Sequence, residues 1–424
     1  MNLLELHKSP KVSTPNPTHH IDELRSEANT FIKNYLFSLY HGKLAHPDLQ
    51  VTKMVGCINY FHPLLKPPYV FYNESTKLLR FDDLLLFTSV DYMGESYEIC
   101  FKTVFIENSR IGKVTEKNQI FLTGFSEEAL YPEMLLGFLK DESVKTSNIR
   151  NTVVSLDPLK LSETDLLTKL IIADPPKVKL TDMFLPENKM HQIERFIYEI
   201  LNYDESKPHQ SPRFLLSGAP GTGKTQIVNA ILSETAGKIT AVVCNGNSFP
   251  IDRIFEFCEL FGPSLIIIDD LDLVIGERQA YGAPISLRTF LSIMDGVLNR
   301  NNNIFILATT NAKHCVDAAA SRPGRWSMIL DIDEIDSRNY LQLIRRETND
   351  EDILGFFDEK TLAELKSKKV SGALIVSLIN NLHSCKRMKG KITKEDFSAY
   401  FELIYNGFYK SNAESKIKEV GFGN

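Results

Sequence analysis

The sequence predicts an α/β domain built on a parallel sheet with helices on both faces, followed by a small all-α unit and preceded by an α+β domain. Three observations carry this expectation. From Arg213 to about Asp333, strand-like runs (RFLLSG, ITAVVCNG, SLIIIDD, NIFILATTN) alternate with helix-like ones (TQIVNAILSETAG, IDRIFEFCEL, LRTFLSIMDGVL), the pattern of a parallel sheet with crossover helices. After about Asp333 the pattern is wholly helical to about Tyr409. Before Pro175-Pro176 lie short runs rich in β-branched and aromatic residues, YVFYNE, LLLFTSV, YEICFKTVFIE and QIFLTGF, which suggest a small sheet.

Taken in order, residues 1–20 read as a loose arm, with charge and proline where a signal peptide needs an apolar core. Residues 21–173 form the α+β domain, and the stretch from Ile21 to Tyr40 has helical three-four spacing. Residues 174–208 are a linker, opened by the proline pair and holding an amphipathic helix, ENKMHQIERFIYEIL. The α/β domain spans 209–333, the helical unit 334–410, and a tail 411–424. Within the helical unit, Thr393 reads as an N-cap with Asp396 three residues on. The basic stretch CKRMKGKITKEDF lacks the interleaved aromatics of a nucleic-acid platform and reads as a solvated edge.

A chain of 424 residues is too long for one ordinary core. Its hydrophobic share of 43% and charged share of 24% are those of a globular protein. The formal net charge of −6 argues against wholesale nucleic-acid binding. No apolar run approaches the roughly 20 residues of a membrane span. The six cysteines form no C-x-x-C pair, which points away from a zinc ribbon and toward a reducing compartment. A cytoplasmic location is therefore expected.

One motif carries specific chemistry. GAPGTGKT, residues 218–225, fits G-x-x-x-x-G-K-[ST] between a predicted strand and a predicted helix. Gly218, Ala219, Pro220, Gly221, Thr222 and Gly223 would turn backbone N–H groups toward phosphate oxygens. The helix N-terminus, with Gln226 in its first turn, adds positive potential. Lys224 would reach the β- and γ-phosphates of ATP, and the Thr225 hydroxyl would ligate Mg²⁺. The strand SLIIIDD ends in Asp269 and Asp270. Asp269 would hold Mg²⁺ through water, and Asp270 would orient or deprotonate the attacking water.

Further stretches resemble the AAA ATPase family proper. ATTN ends the next strand and places Asn311 where that family has a sensor of the γ-phosphate. SRPGR places Arg322 and Arg325 where it carries arginine fingers, and IMDG (residues 293–296) resembles its pre-sensor stretch. SGA, Ser371 with Gly372 and Ala373, resembles its second sensor at the start of a lid helix. The resemblance covers roughly residues 180–405. It implies an α/β P-loop module with a helical lid, ATP and Mg²⁺ as ligands, and a homo-oligomer, typically a six-membered ring. It places adenine between TDMFLP, with Asp182 and Met183, and the lid at Gly372 and Ala373. Arg322 and Arg325 would act on the neighbouring subunit's nucleotide. Trp326 follows them, either reporting on an interface or packing as core.

Two departures from the family pattern stand out. Members that hydrolyse well generally have glutamate at the position of Asp270, and some related Asp-Asp domains are regarded as mainly structural. The lost methylene withdraws the carboxylate by about 1–1.5 Å, and a 1 Å misplacement can cost about 10²-fold in rate. The other departure is the compact segment 245–263, where Ile251, Ile254, Phe255 and Cys258 follow helical spacing. Phe249 there either faces a pore or anchors a loop. A similarly short region occurs in the mitochondrial translocase group that moves a folded Rieske protein, although this chain lacks that group's membrane helix. Arg278 and Tyr281, in GERQAYGAPIS, are candidate contacts in a second loop. The resulting expectation is a ring-forming ATPase that remodels or chaperones a protein client chosen by residues 21–173. A nucleotide-gated scaffold with little turnover is the alternative, and a nucleic-acid motor a weaker one.

Overall fold

The computed structural model describes residues 19–58, 65–108, 113–124, 132–156, 166–204, 212–245, 251–272, 303–311, 326–333 and 335–420. In chain order these hold β1 (His19–Leu24), α1 (Ser26–Tyr40), β2 (Leu49–Cys57), β3 (Val70–Asn73), β4 (Leu78–Phe81), β5 (Leu85–Tyr92), β6 (Glu95–Asn108) and β7 (Lys113–Gly124). Next come α2 (Pro132–Lys145), β8 (Val153–Leu156), β9 (Leu170–Ala173), α3 (Glu187–Leu201), β10 (Arg213–Ser217), α4 (Lys224–Thr235), β11 (Thr240–Asn245), α5 (Ile251–Leu260) and β12 (Ser264–Asp269). The remainder is β13 (Ile304–Thr310), β14 (Met328–Asp331), α6 (Tyr340–Glu347), α7 (Glu351–Leu354), α8 (Glu359–Ser367), α9 (Gly372–Lys389) and α10 (Lys394–Val420).

Contacts divide the chain into two units that do not follow sequence order. The first takes Met1–Asp174, Ala236–Val243 and Phe249–Ile266, and the second takes Pro175–Thr235, Cys244–Ser248 and Ile267–Asn424.

The first unit is built on an antiparallel sheet of order β1-β7-β6-β5-β2. One face is covered by two helices. Ile32, Tyr35 and Leu36 of α1 and Leu135, Leu136 and Leu139 of α2 bury against Met54, Leu86, Val90, Ile99, Phe101, Ile120 and Leu122. Helical spacing on α1 and alternation on the strands put these residues on facing surfaces. The expected helix from Ile21 is shorter than its pattern. It starts at Ser26, because His19–Leu24 pairs antiparallel with β7, from His19 opposite Thr123 to Leu24 opposite Asn118. The edge of β7 offers backbone partners that local periodicity cannot reveal.

Two other strands in this unit were not anticipated. β8 pairs parallel with β11 (Val153 opposite Ala241), and β9 pairs antiparallel with β8. The predicted helix α5 is present, with Ile254, Phe255 and Cys258 buried as their spacing requires. It is held by α1. Arg253 Nη2 lies 3.1 Å from the buried Glu27 carboxylate, Arg25 reaches Glu259 at 3.6 Å, and Phe31 meets Phe261 edge-on at 5.3 Å.

In the second unit, β10 pairs in parallel with both β13 and β14. Every residue of β10 and β13 is buried, which is why both centre on apolar runs, Phe214–Leu216 and Ile304–Ala308, with no alternation. The helix α3 lies where its pattern predicts, burying Ile193, Phe196, Ile197 and Ile200. Phe196 stacks on Phe214 of β10 at 4.5 Å. Strand β14 has only four residues, of which only Leu330 is buried, too short a run to read as a strand from its pattern. Trp326 beside it is buried, and its Nε1 has no hydrogen-bond partner among the described residues. The helical unit packs Leu343 and Ile344 of α6 against Leu374, Ile375, Leu378, Ile379 and Leu382 of α9. The Ser371 hydroxyl caps α9 at the Leu374 N–H, and Gly390 ends it in the left-handed region at φ 77°. The Thr393–Asp396 capping box forms in both directions, at 3.0 and 3.2 Å.

The Glu27–Arg253 pair gives a stability prediction. Glu27 is buried while Arg253 is partly exposed, so solvent weakens the pair relative to a buried one. Arg253→Ala should lower stability by about 1–2 kcal/mol in urea unfolding. A double-mutant cycle with Glu27→Ala should return a coupling near 1 kcal/mol, and zero coupling would show that the pair contributes nothing.

Candidate functional site

The site is assembled where β10 gives way to α4, in the second unit. Glycine is required here for space. A Cβ on Gly218 would lie 2.2 Å from the carbonyl oxygen of Ile332, and one on Gly221 would lie 3.2 Å from both the Ala373 Cβ and the Ser371 Oγ. Gly221 also has φ +80°, a conformation open mainly to glycine. The phosphate loop is thereby pressed between the chain after β14 and the first turn of α9. The first N–H groups of α4 open toward the loop, as at any helix N-terminus.

Lys224 is buried to 6% exposure, and its ammonium donates to the carbonyls of Gly218 and Ala219, both at 2.9 Å. Burial holds it below the usual lysine range, against the opposing pull of Asp270, Asp272 and Asp269. An ammonium this enclosed, resting on loop carbonyls, is the kind of group that a phosphate would attract. The Thr225 hydroxyl donates to Asp269 Oδ2 at 3.3 Å. Two hard oxygen donors converging beside a phosphate cradle fit the chemistry of Mg²⁺.

The carboxylates are laced to the end of β13. The Thr309 hydroxyl donates to Asp269 Oδ1 at 2.5 Å and accepts the Asp270 N–H at 2.9 Å. Asn311 Nδ2 donates to Asp270 Oδ1 at 2.9 Å. Asp272 Oδ1 accepts from the Thr310 hydroxyl at 2.8 Å and from the Asn311 N–H at 3.0 Å. Asp270 itself has φ +53°, rare for a residue with a side chain. Its carboxyl is pushed above the usual range by burial and then by Asp269 and Asp272, while Lys224 and the Asn311 amide hold it back.

A cleft of about 860 Å³ runs from these groups to the lid. Pro220, Gly221, Thr222, Gly223, Lys224, Thr225 and Gln226 line it, together with Asp182, Met183, Asp270, Asn311, Gly372 and Ala373. Gly218 and Ala219 face a neighbouring hollow of about 510 Å³. Asp269 sits behind, bonded to Thr225 and Thr309. Arg322, Arg325, Phe249, Arg278, Tyr281 and residues 293–296 lie outside the described residues.

Four residues escaped the sequence reading. Arg346 donates to the Asp182 carbonyl at 2.8 Å and lies over the Phe184 ring at 5.3 Å, so α6 holds the segment carrying Asp182 and Met183. Lys189 joins the Asp331 carbonyl at 2.5 Å and the Asp333 carboxylate, fixing α3 to the chain after β14. Thr309 lies within ATTN and Asp272 just beyond SLIIIDD, but only their geometry shows what they do.

This arrangement defines a P-loop nucleotide-binding site. The chain matches the ATPase family associated with various cellular activities (AAA) over residues 214–337. It is 27% identical over 234 residues to the ATP-dependent zinc metalloprotease FtsH of Helicobacter felis, covering 50% of this chain and 36% of that protein. It is 30% identical over 262 residues to the meiotic spindle formation protein mei-1 of Caenorhabditis elegans, 55% of each chain. Protein SAV of Sulfolobus acidocaldarius is 25% identical over 249 residues, 52% of this chain and 31% of its own. The matches thus span from about a third to just over half of these relatives. Among the described residues no helix is long and apolar enough to cross a membrane.

Gly218 supplies a direct test of the cradle. Gly218→Ala places a methyl group against the Ile332 carbonyl, and overpacking of this kind costs about 1–3 kcal/mol. The variant should melt earlier and lose ATP affinity by at least about tenfold in a fluorescence titration. Unchanged affinity would mean that the loop tolerates the added carbon.

Proposed function

We propose that the protein is a ring-forming ATPase that couples ATP binding and hydrolysis to remodelling or chaperoning of a protein client. The observation that carries the proposal is the convergence of Lys224, Thr225, Asp270 and Asn311 on one cleft, with Asp269 bonded to Thr225. ATP phosphates would be held by the loop N–H groups, the α4 N-terminus and the Lys224 ammonium. Thr225 and Asp269 would hold Mg²⁺, which supplies charge neutralisation on the phosphate oxygens when bound. Asp270 would orient the attacking water and accept its proton, and Asn311 would hold both Asp270 and the γ-phosphate side of the site. Adenine would lie between the Asp182–Met183 segment and the Gly372–Ala373 turn of the lid. Arg322 and Arg325 would reach the nucleotide of the neighbouring subunit in a homo-oligomer, hexameric by analogy with the family.

A protein client is supported by the kinship with a protein named as a protease. The domain 21–173 would choose the client or its adaptor. The helix α5 takes up most of the compact stretch 245–263, which leaves little chain for a threading loop and supports clients handled folded, as in the Rieske translocase group. The specific feature favouring a second reading, a nucleotide-gated scaffold, is aspartate at 270, one methylene shorter than glutamate.

The test is steady-state ATP turnover of wild type beside Lys224→Ala, with sedimentation of each in the presence and absence of ATP. The proposal expects wild-type turnover well above the Lys224→Ala background and ATP-dependent assembly. Turnover at background together with ATP-dependent assembly would replace it with the scaffold.

A further inference from the structure

The hydrolytic reading leaves open how two short carboxylates at the end of β12 are aimed. Thr309 and Thr310 are consecutive on β13, so their side chains leave opposite faces of the strand. Both are fully buried. Both are used to grip the same crossing chain from its two sides. On one side, the Thr309 hydroxyl spends its proton on Asp269 Oδ1 and a lone pair on the Asp270 N–H. On the other, Asp272 Oδ1 takes the Thr310 hydroxyl and the Asn311 N–H. Asn311 Nδ2 then closes the loop onto Asp270 Oδ1. The backbone of Asp270 sits at φ +53° within this clasp, and a left-handed turn at a residue with a side chain persists when surrounding bonds fix it.

Resting on that hydrolytic reading, we infer that Thr309 and Asp272 are positioning residues forming a two-sided latch between the ends of β12 and β13, which presents Asp270 and Asn311 as one preset pair. Thr309 sets the backbone of Asp270 and the carboxylate of Asp269. Asp272 sets the backbone of Asn311, and through it the amide that meets Asp270. Neither Thr309 nor Asp272 lines the nucleotide cleft, so neither would touch a bound ADP directly. The latch also offers a physical answer to the missing methylene at 270. Reach lost in the side chain is recovered by a backbone turned out of the strand and held there.

The latch predicts a split between turnover and binding. Thr309→Val keeps shape and removes both hydrogen bonds of the hydroxyl, and Thr309→Ser keeps the hydroxyl. Asp272→Ala removes the acceptor, and Asp272→Asn keeps an oxygen in its place. Steady-state ATP turnover would be measured for each, with affinity for a fluorescent ADP analogue and the thermal midpoint. Thr309→Val and Asp272→Ala should lose about tenfold or more in kcat, with ADP-analogue affinity within about twofold of wild type. Thr309→Ser and Asp272→Asn should recover to within about threefold of the wild-type rate. Should Thr309→Val fail to fold, the Asp272 pair decides alone. Wild-type kcat in Thr309→Val or Asp272→Ala would overturn the latch while leaving the ATPase reading in place, as would an equal loss in the conservative variants. A wild type that turns over no faster than Lys224→Ala would instead overturn the ATPase reading, and the latch with it.

Discussion

The backbone of a single aspartate is the constraint on which this site depends. At the end of a fully buried strand the chain must turn, and it turns at Asp270 through the left-handed region. Sterics disfavour that conformation for any residue with a Cβ, though least for Asp and Asn. What holds it is a hydroxyl with no exposure to solvent, that of Thr309, together with the Asn311 amide. Everything downstream follows from the direction this turn sets. It brings Asp270 into the cleft while Asp269 stays behind against Thr225. It also carries Asp272 across to the far side of β13. A half-buried hydrogen-bond network of this kind is stiff when every member is satisfied, and stiffness is what positioning for catalysis requires.

A similar economy of space joins the phosphate loop to its surroundings. Gly218 lies against the chain after β14 and Gly221 against the first turn of α9. The loop therefore touches the lid directly, and Arg346 ties α6 to the segment carrying Asp182. These contacts tie the shape of the cleft to the placement of α6 and α9. In the first unit, α5 is held to α1 by one half-buried ion pair, one looser pair and one aromatic contact. Part of the chain between the phosphate loop and the paired acids is thus built into the same unit as the N-terminal domain.

The sequence revealed most where function uses the backbone. A phosphate cradle needs glycines at fixed offsets, so GAPGTGKT was readable, and the structure gives Gly218 and Gly221 a spatial reason. Buried strands such as β10, β12 and β13 were readable because apolar runs without alternation (Phe214–Leu216, Leu265–Ile268 and Ile304–Ala308) form their centres. The helices α3 and α5 were readable from spacing, and the Thr393–Asp396 box from a local rule. What failed was non-local. β1 was hidden within a helical pattern because its partner, β7, lies about a hundred residues away in sequence. β8 and β9 went unread as strands because β8 takes its parallel partner, β11, from far along the chain. Thr309 and Asp272 were in plain view, but nothing local distinguishes a threonine that orients two carboxylates from one that fills a strand.

The central claim is that Asp270, despite its short side chain, is the residue on which hydrolysis turns. Single-turnover ATP hydrolysis by Asp270→Asn, run beside wild type with bound nucleotide quantified in both, tests it most directly. Asparagine keeps the length and the left-handed tolerance of aspartate but cannot accept a proton as a carboxylate does. The account predicts that Asp270→Asn binds Mg·ATP with wild-type affinity and cleaves it at least about 10²-fold more slowly, the scale expected for loss of a general base. Cleavage by Asp270→Asn at the wild-type rate would contradict it and place the hydrolytic chemistry elsewhere in the site.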